Sequence, residues 1–286
     1  MKNLILRSIT GIIYVGLICS IVLSGGWSFI VFFGLITILA LEEFYNLTNA
    51  SIGGENITTL VLDVVGGLIL CIGICSVNIG VLTPFTMAVL GGTFFTLYLL
   101  YLLVRLVMQL YNQEVSPLTN LAYSYMGQMY IALPLGLMSM YYTLPDGKHL
   151  LLGMFIMIWL SDTGAFCVGS LLGKHKLFPR ISPKKSWEGF IGGVIFVMAS
   201  AFVFKFGFPQ YFSNISLGGL CGLGAIVAAF ATWGDLVESL IKRTLGVKDS
   251  GTLLPGHGGI LDRIDSLLLV IPASLLYLTA LHLYIF

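Results

Sequence analysis

Charge is what this chain has least of. Lys, Arg, Asp and Glu make up 9% of its 286 residues, hydrophobic residues make up 57%, and mean hydropathy is +0.98. That balance excludes an ordinary soluble domain. Neither sign dominates, because 14 basic residues face 13 acidic ones for a net charge of +1. Bulk charge therefore selects no partner, and no nucleic-acid partner is expected. There is no acidic or basic tail, no low-complexity segment and no internal repeat visible by eye. Cysteine is scarce as well. Cys19, Cys71, Cys75, Cys167 and Cys221 all lie in or beside apolar stretches, so no disulfide framework is visible. Cys71 and Cys75, four apart, share a helix face, but small apolar residues in a membrane helix are the simpler reading. No Cys/His spacing suits zinc.

What is abundant is apolar length. Several stretches approach or exceed the ~20 residues that span a bilayer as a helix. Hydropathy and breakers predict an all-α polytopic membrane protein with about nine spans: Leu4–Leu23, Trp27–Leu47, Ile57–Val77, Val81–Met108, Leu121–Tyr142, Leu150–Leu172, Phe190–Phe206, Leu217–Leu240 and Leu267–Phe286. Lys2, Arg7 and the run ending at Ser24-Gly25-Gly26 resemble a secretory signal. The weak cleavage pattern and the spans that follow favour a retained first helix. Pro84, Pro117 and Pro134 are expected at helix starts or kinks. With nine spans, Lys2, Arg7, Arg105, Lys174, Lys176, Arg180, Lys184, Lys185, Lys242, Arg243, Lys248 and Arg263 share one side, leaving Lys148 and Lys205 on the other. The positive-inside rule makes the first side, and the N-terminus, cytoplasmic. The basic loops 173–189 and 242–266 then face one compartment and can build one site.

The few ionisable residues collect in the second half. Earlier in the chain, Glu42 and Glu43 lie near a span end where they can reach water. Asp63, inside the third span, is read first as a cap or a local structural pair, and second as pairing with another polar group or serving a proton path. Asp162 follows Ser161 and precedes Thr163-Gly164 within an apolar span. It is either a functional carboxylate or one held by a neighbouring hydroxyl. The basic loop that follows suits anionic headgroups. Within it, Lys184, Lys185 and Ser186 form a kinked, Gly-ended pair of lysines that looks like a phosphate grip ahead of a helix. On a helix, Asp235 shares a face with Glu238 and Ser239, and Glu238 with Lys242. That stripe is either interhelical salt-bridge packing or a metal site, with Asp235 the first ligand candidate. In Pro255-Gly256-His257-Gly258-Gly259 the glycines let backbone amides approach an anion, and His257 is read as a hydrogen-bond donor to phosphate. Asp262 and Asp265, three apart, would complete with Asp235 an oxygen-rich cage suited to Mg²⁺ shared with substrate phosphates.

The run Ser239-x-x-Lys242-Arg243-x4-Lys248-Asp249-x-Gly251-x-x-Leu254-Pro255-x-His257-Gly258-Gly259-x-x-Asp262-Arg263-x-Asp265 resembles the motif of phosphatidate cytidylyltransferases, the CDP-diacylglycerol synthases. Ser161-Asp162-Thr163-Gly164-Ala165 and the segment from Gly173 to Gly189 resemble the family too. The resemblance implies that CTP and phosphatidate give CDP-diacylglycerol and pyrophosphate with Mg²⁺, alone or with a second metal or a monovalent cation. It implies a homodimer in the bacterial inner (plasma) membrane, active on the cytoplasmic face. It makes Asp235 and Asp262 the main metal ligands, with Asp265 and Asp162 nearby. Lys242 and Arg263 join Asp235 and Asp262 as catalytic. Lys184, Lys185, Ser186, Arg243, Lys248, His257, Gly258 and Gly259 are assigned to substrate. Residues 1–145 would then serve packing, dimerisation or lipid access, and residues 146–286 would form the catalytic region. A related transferase with another lipid acceptor, such as an isoprenoid, could carry similar loops. A transporter should place charged or broken helices in paired halves, whereas the charge here is concentrated in one half and on one side.

Overall fold

A computed structural model describes residues 2–52, 57–79, 83–111, 116–251 and 258–285, with the side chains of 2–10 and 282–285 outside the description. Long helices dominate. They are α1 (Lys2–Ser24), α2 (Gly26–Ile52), α3 (Ile57–Asn78), α4 (Pro84–Tyr111), α5 (Pro117–Gly127), α6 (Leu133–Leu137), α7 (Gly147–Leu172), α8 (Trp187–Gly207), α9 (Pro209–Phe212), α10 (Leu217–Thr244) and α11 (Leu261–Ile285). Among the described residues, seven helices are long and apolar enough to cross a membrane: α2, α3, α4, α7, α8, α10 and α11 up to Leu281. Helices satisfy their backbone polar groups internally, which a bilayer requires. The expected fifth span is not one continuous α-helix. It runs as α5, a π-helical stretch Gln128–Ala132, α6 with Pro134, and a 3₁₀ stretch Met138–Thr143. Pro84 and Pro117 open α4 and α5, where a missing N–H costs no helical bond.

The chain divides into two compact units. One comprises Met1–Thr143 with Asp249–Arg263, and the other Leu144–Lys248 with Ile264–Phe286. The region expected to act as one catalytic part, 146–286, is thus shared between them.

In the first unit, Phe29, Leu41, Phe44, Ile131, Leu135 and Tyr141 are fully buried. A polar network lies among them. Arg105 Nε donates to Asp63 Oδ1 and to Ser124 Oγ, both at 3.0 Å, and Arg105 Nη1 donates to Gln109 Oε1 at 2.6 Å. Arg105 Nη2 also donates to Asn120 Oδ1, and Ser124 Oγ to Asp63 Oδ2. Tyr101 OH donates to Asp63 Oδ1 at 3.0 Å. Asp63 therefore has the structural pairing expected of it. The Arg105 side chain is buried inside the protein against Asp63. Cys71 and Cys75 are buried free thiols, Cys71 Sγ accepting from Thr37 Oγ1 at 3.3 Å.

In the second unit, Leu151, Met154, Val197, Ala201, Leu220 and Val227 pack α7, α8 and α10 together. The α7–α8 seam is built on small residues. A Cβ on Gly164 would lie 2.8 Å from Gly192 O, and one on Gly193 2.9 Å from Ser161 O. Between these helices runs an antiparallel hairpin of β1 (Lys176–Phe178) and β2 (Ser182–Ser186), pairing Lys176 with Ser186 and Phe178 with Ser182. The sequence reading had a kinked loop here. The short hairpin departs from an all-helical plan without altering the class.

Candidate active site

The second unit gathers carboxylates and lysines from α7, β2, α10 and α11. Asp235, Glu238 and Asp265 each place a carboxylate oxygen within 4.8 Å of the others. Asp235 and Glu238 come from one face of α10, and Asp265 comes from α11. Gly234 allows the two helices to approach, because a Cβ there would lie 2.6 Å from Asp265 O and 2.9 Å from Ser266 Cα. Ser266 ties the seam by donating to Ala231 O at 3.2 Å. Asp265 Oδ1 accepts the Ser266 N–H at 2.7 Å, and Ser239 Oγ donates to Asp235 Oδ1 at 3.2 Å.

Two lysines face these acids. Lys185 Nζ lies 2.7 Å from Asp235 Oδ2 and donates to Thr232 O at 3.1 Å. Lys242 Nζ lies 2.6 Å from Glu238 Oε2, one turn along α10. That pair lies within α10 itself and is not the interhelical salt bridge expected as one reading of the stripe, while the same stripe contributes to the carboxylate cluster. Glu238 is 1% exposed. Sequence reasoning saw it on the right face but did not count it as a ligand.

A cavity of 470 Å³ adjoins Asp235. Asp162, Lys184, Lys185, Ser186 and Thr232 supply its polar lining, and Ala165, Phe166, Leu177 and Phe190 its apolar lining. Asp162 is within electrostatic reach of Asp235 and of Lys185. The neighbouring hydroxyl of Thr163 is donated to Trp159 O at 2.7 Å. The hairpin brings Lys184 and Lys185 to this wall, and Ser186 then starts α8 as an N-cap, its Oγ accepting the Gly189 N–H at 3.2 Å. Glu188 Oε2 fixes the other edge of the hairpin by accepting the backbone N–H groups of Lys174 and His175, each at 3.2 Å. Arg243 Nη1 donates to Val247 O at 3.2 Å, and Lys248 is exposed.

The remaining motif residues belong to the first unit. Asp262 Oδ2 accepts the N–H of Gly259 at 2.9 Å and of Ser250 at 3.2 Å. Gly258 has φ +82°, in the left-handed region, and a Cβ on it would lie 2.5 Å from that same oxygen. Arg263 is exposed on the first turn of α11. His257 lies outside the described residues. Glu43 was placed near a span end but given no site role; its carboxylate accepts the N–H groups of Ile260 and Leu261. The available signal was an acidic pair in a chain with so few charges.

The donor set of Asp235, Glu238 and Asp265 is all oxygen and all carboxylate. It fits a hard divalent cation such as Mg²⁺ and offers no sulfur or imidazole for zinc. Beside it, lysines and an apolar wall give an amphiphilic phosphate a charged end and a greasy end.

Comparison with known proteins agrees with this chemistry. The model of the cytidylyltransferase family matches residues 5–281. A phosphatidate cytidylyltransferase of Staphylococcus aureus (strain COL) is 34% identical over 267 residues, covering 93% of this chain and 95% of the relative. One of Staphylococcus haemolyticus (strain JCSC1435) is 49% identical over 151 residues, covering 53% of this chain and 56% of the relative. Another, of Staphylococcus epidermidis (strain ATCC 35984 / DSM 28319 / BCRC 17069 / CCUG 31568 / BM 3577 / RP62A), is 45% identical over 151 residues.

Proposed function

We propose that this chain, which belongs to the cytidylyltransferase family, transfers CMP from CTP to phosphatidate, giving CDP-diacylglycerol and pyrophosphate in phospholipid biosynthesis. The observation that carries the reading is the carboxylate cluster beside a lysine-lined, half-apolar cavity within membrane-length helices. Relatives that bear the name phosphatidate cytidylyltransferase support it.

A phosphate oxygen of the lipid attacks the α-phosphorus of CTP. The bond from that phosphorus to the oxygen bridging to the β-phosphate breaks, and pyrophosphate leaves with the electron pair. A phosphate monoester has a second pKa near ~6 and is largely dianionic at neutral pH, so no strong general base is required. The difficulty is the crowding of negative charge, which positioned cations relieve. Asp235, Glu238 and Asp265 would hold Mg²⁺, with Asp162 beside them and Asp262 assigned by the family motif. When bound, the ion supplies charge neutralisation on the phosphate oxygens. Lys184 and Lys185 grip phosphate at the cavity wall, and Lys185 must exchange its contact with Asp235 for one with substrate. Lys242 holds Glu238 in place. Arg243, Lys248, Arg263, His257 and the amides of Gly258 and Gly259 are assigned to the phosphates of the two substrates. Phe166, Leu177 and Phe190 face the acyl chains. We read α1 and the broken segment 117–143 as two further spans, making nine, with the N-terminus and the site on the cytoplasmic side of the bacterial plasma membrane.

Sealed vesicles of known orientation, given phosphatidate, labelled CTP and Mg²⁺ with or without EDTA, test this directly. Inverted vesicles should form CDP-diacylglycerol and pyrophosphate from external CTP, and EDTA should stop both. Intact right-side-out vesicles should leave external CTP unused. Product from an isoprenoid phosphate but not from phosphatidate would replace the acceptor, and turnover by right-side-out vesicles would reverse the topology.

A further inference from the structure

Glu43 lies on α2, 217 residues before its partner Ile260, and outside every motif discussed above. Its Oε2 accepts the N–H of Ile260 at 2.8 Å, and its Oε1 that of Leu261 at 3.3 Å. Leu261 opens α11. N–H groups at a helix start lack intrahelical acceptors, and a carboxylate there also meets the positive end of the helix dipole. Two glycines close over the same carboxylate. A Cβ on Gly251 would lie 2.8 Å from Glu43 Oε2, and one on Gly259 would collide with the carboxylate. Asp262 Oδ2 meanwhile binds the amides of Ser250 and Gly259. Two carboxylates thus hold the stretches 250–251 and 259–261, and one of them is a motif residue.

An ordinary helix cap comes from the residue just before the helix. Here the capping carboxylate comes from a different helix, so the place of the motif backbone depends on α2. Any side chain at 251 or 259 would push Glu43 away, which gives both glycines a reason that turn geometry alone does not supply. Neither has a φ in the left-handed region, unlike Gly258.

We propose that Glu43 is a positioning residue for the transfer reaction: it fixes the backbone of Gly259–Leu261, and through it the Asp262 side chain, before substrate arrives. This rests on the assignment of the motif to phosphate chemistry. Preorganisation of this kind lowers the barrier because the ordering is done ahead of the chemical step. Glu42, exposed on the same turn, provides the control.

The test is hydrogen exchange and CTP kinetics on the full chain in detergent, for wild type, Glu43→Ala, Glu43→Gln and Glu42→Ala. Hydrogen bonds to a charged group carry enough energy that Glu43→Ala should speed exchange of the 259–261 amides, and lower kcat/KM for CTP, by about tenfold or more. Peptides from α7 and α8 should exchange as in wild type. Glu43→Gln keeps the length and one acceptor oxygen and should recover much of both losses. Glu42→Ala should change neither. Wild-type exchange in Glu43→Ala would overturn the proposal, as would wild-type kcat/KM once those amides are released. If Glu43→Ala fails to fold, Gly251→Ala presses a methyl on the same carboxylate and carries the same two expectations. A wild-type protein that transfers no CMP would sink the proposed function, while the exchange result would still decide the contact.

Discussion

Arg105 has no exposed surface, and its guanidinium is shared among Asp63, Ser124, Gln109 and Asn120. Within a bilayer-length helix such a charge persists only when matched, and removing one partner strands the other at a cost of about 3–5 kcal/mol. Arg105→Met should therefore lower the melting temperature in detergent sharply. Asp63→Leu should do so as well, and the double variant should be more stable than either single one. A double variant as damaged as the sum of the two would show that the pair is not the unit of stability. The sequence reading expected a partner for Asp63 without naming it, and it counted Arg105 only as one of the basic residues on one side of the membrane. A contact between residues 42 apart cannot be read from hydropathy, which treats every Arg near a span end alike. The same blindness hid the contacts of Glu43. Asp235 was easier to single out, because it stands with Glu238, Ser239 and Lys242 at helical spacing in one otherwise apolar helix.

Helix approach decides where those acids meet. Gly234 precedes Asp235, and the atoms a methyl there would strike are backbone atoms of Asp265 and Ser266, which cannot swing aside. Gly234→Ala should push the helices apart near the cluster. Misplacement by about 1 Å can cost about a hundredfold in rate, so CMP transfer should fall by at least tenfold in protein that still elutes as a folded species. Gly92→Ala meets nothing within 4 Å and should be neutral or slightly stabilising, since alanine favours helix over glycine. Equal activity in the two variants would contradict the role given to the seam. The run Ser182–Ser186 stood out in the sequence by its lysines, but its strand was not legible. Its hairpin owes its register to a partner strand and to Glu188 accepting the Lys174 and His175 amides. Neither can be read from the lysines themselves.

At the scale of the molecule, hydropathy is the most legible property, because a bilayer accepts few backbone arrangements and helices are the commonest. The division of labour was less legible. The stretch Asp249–Arg263 groups with Met1–Thr143, so this part of the motif packs with the N-terminal helices. Sequence order alone had assigned that stretch to the catalytic half. At the centre of the proposed mechanism, Asp235, Glu238 and Asp265 would form a divalent-cation site. Titrating the full chain in detergent with Mn²⁺, a spectroscopic stand-in for Mg²⁺ at oxygen ligands, and counting free ion by electron paramagnetic resonance would measure it. Wild-type protein should bind, with Mg²⁺ competing, and Asp235→Asn and Asp265→Asn should each weaken binding by about tenfold or more, as loss of a charged ligand does. Undiminished binding by both variants would place the metal elsewhere and remove the centre of the mechanism.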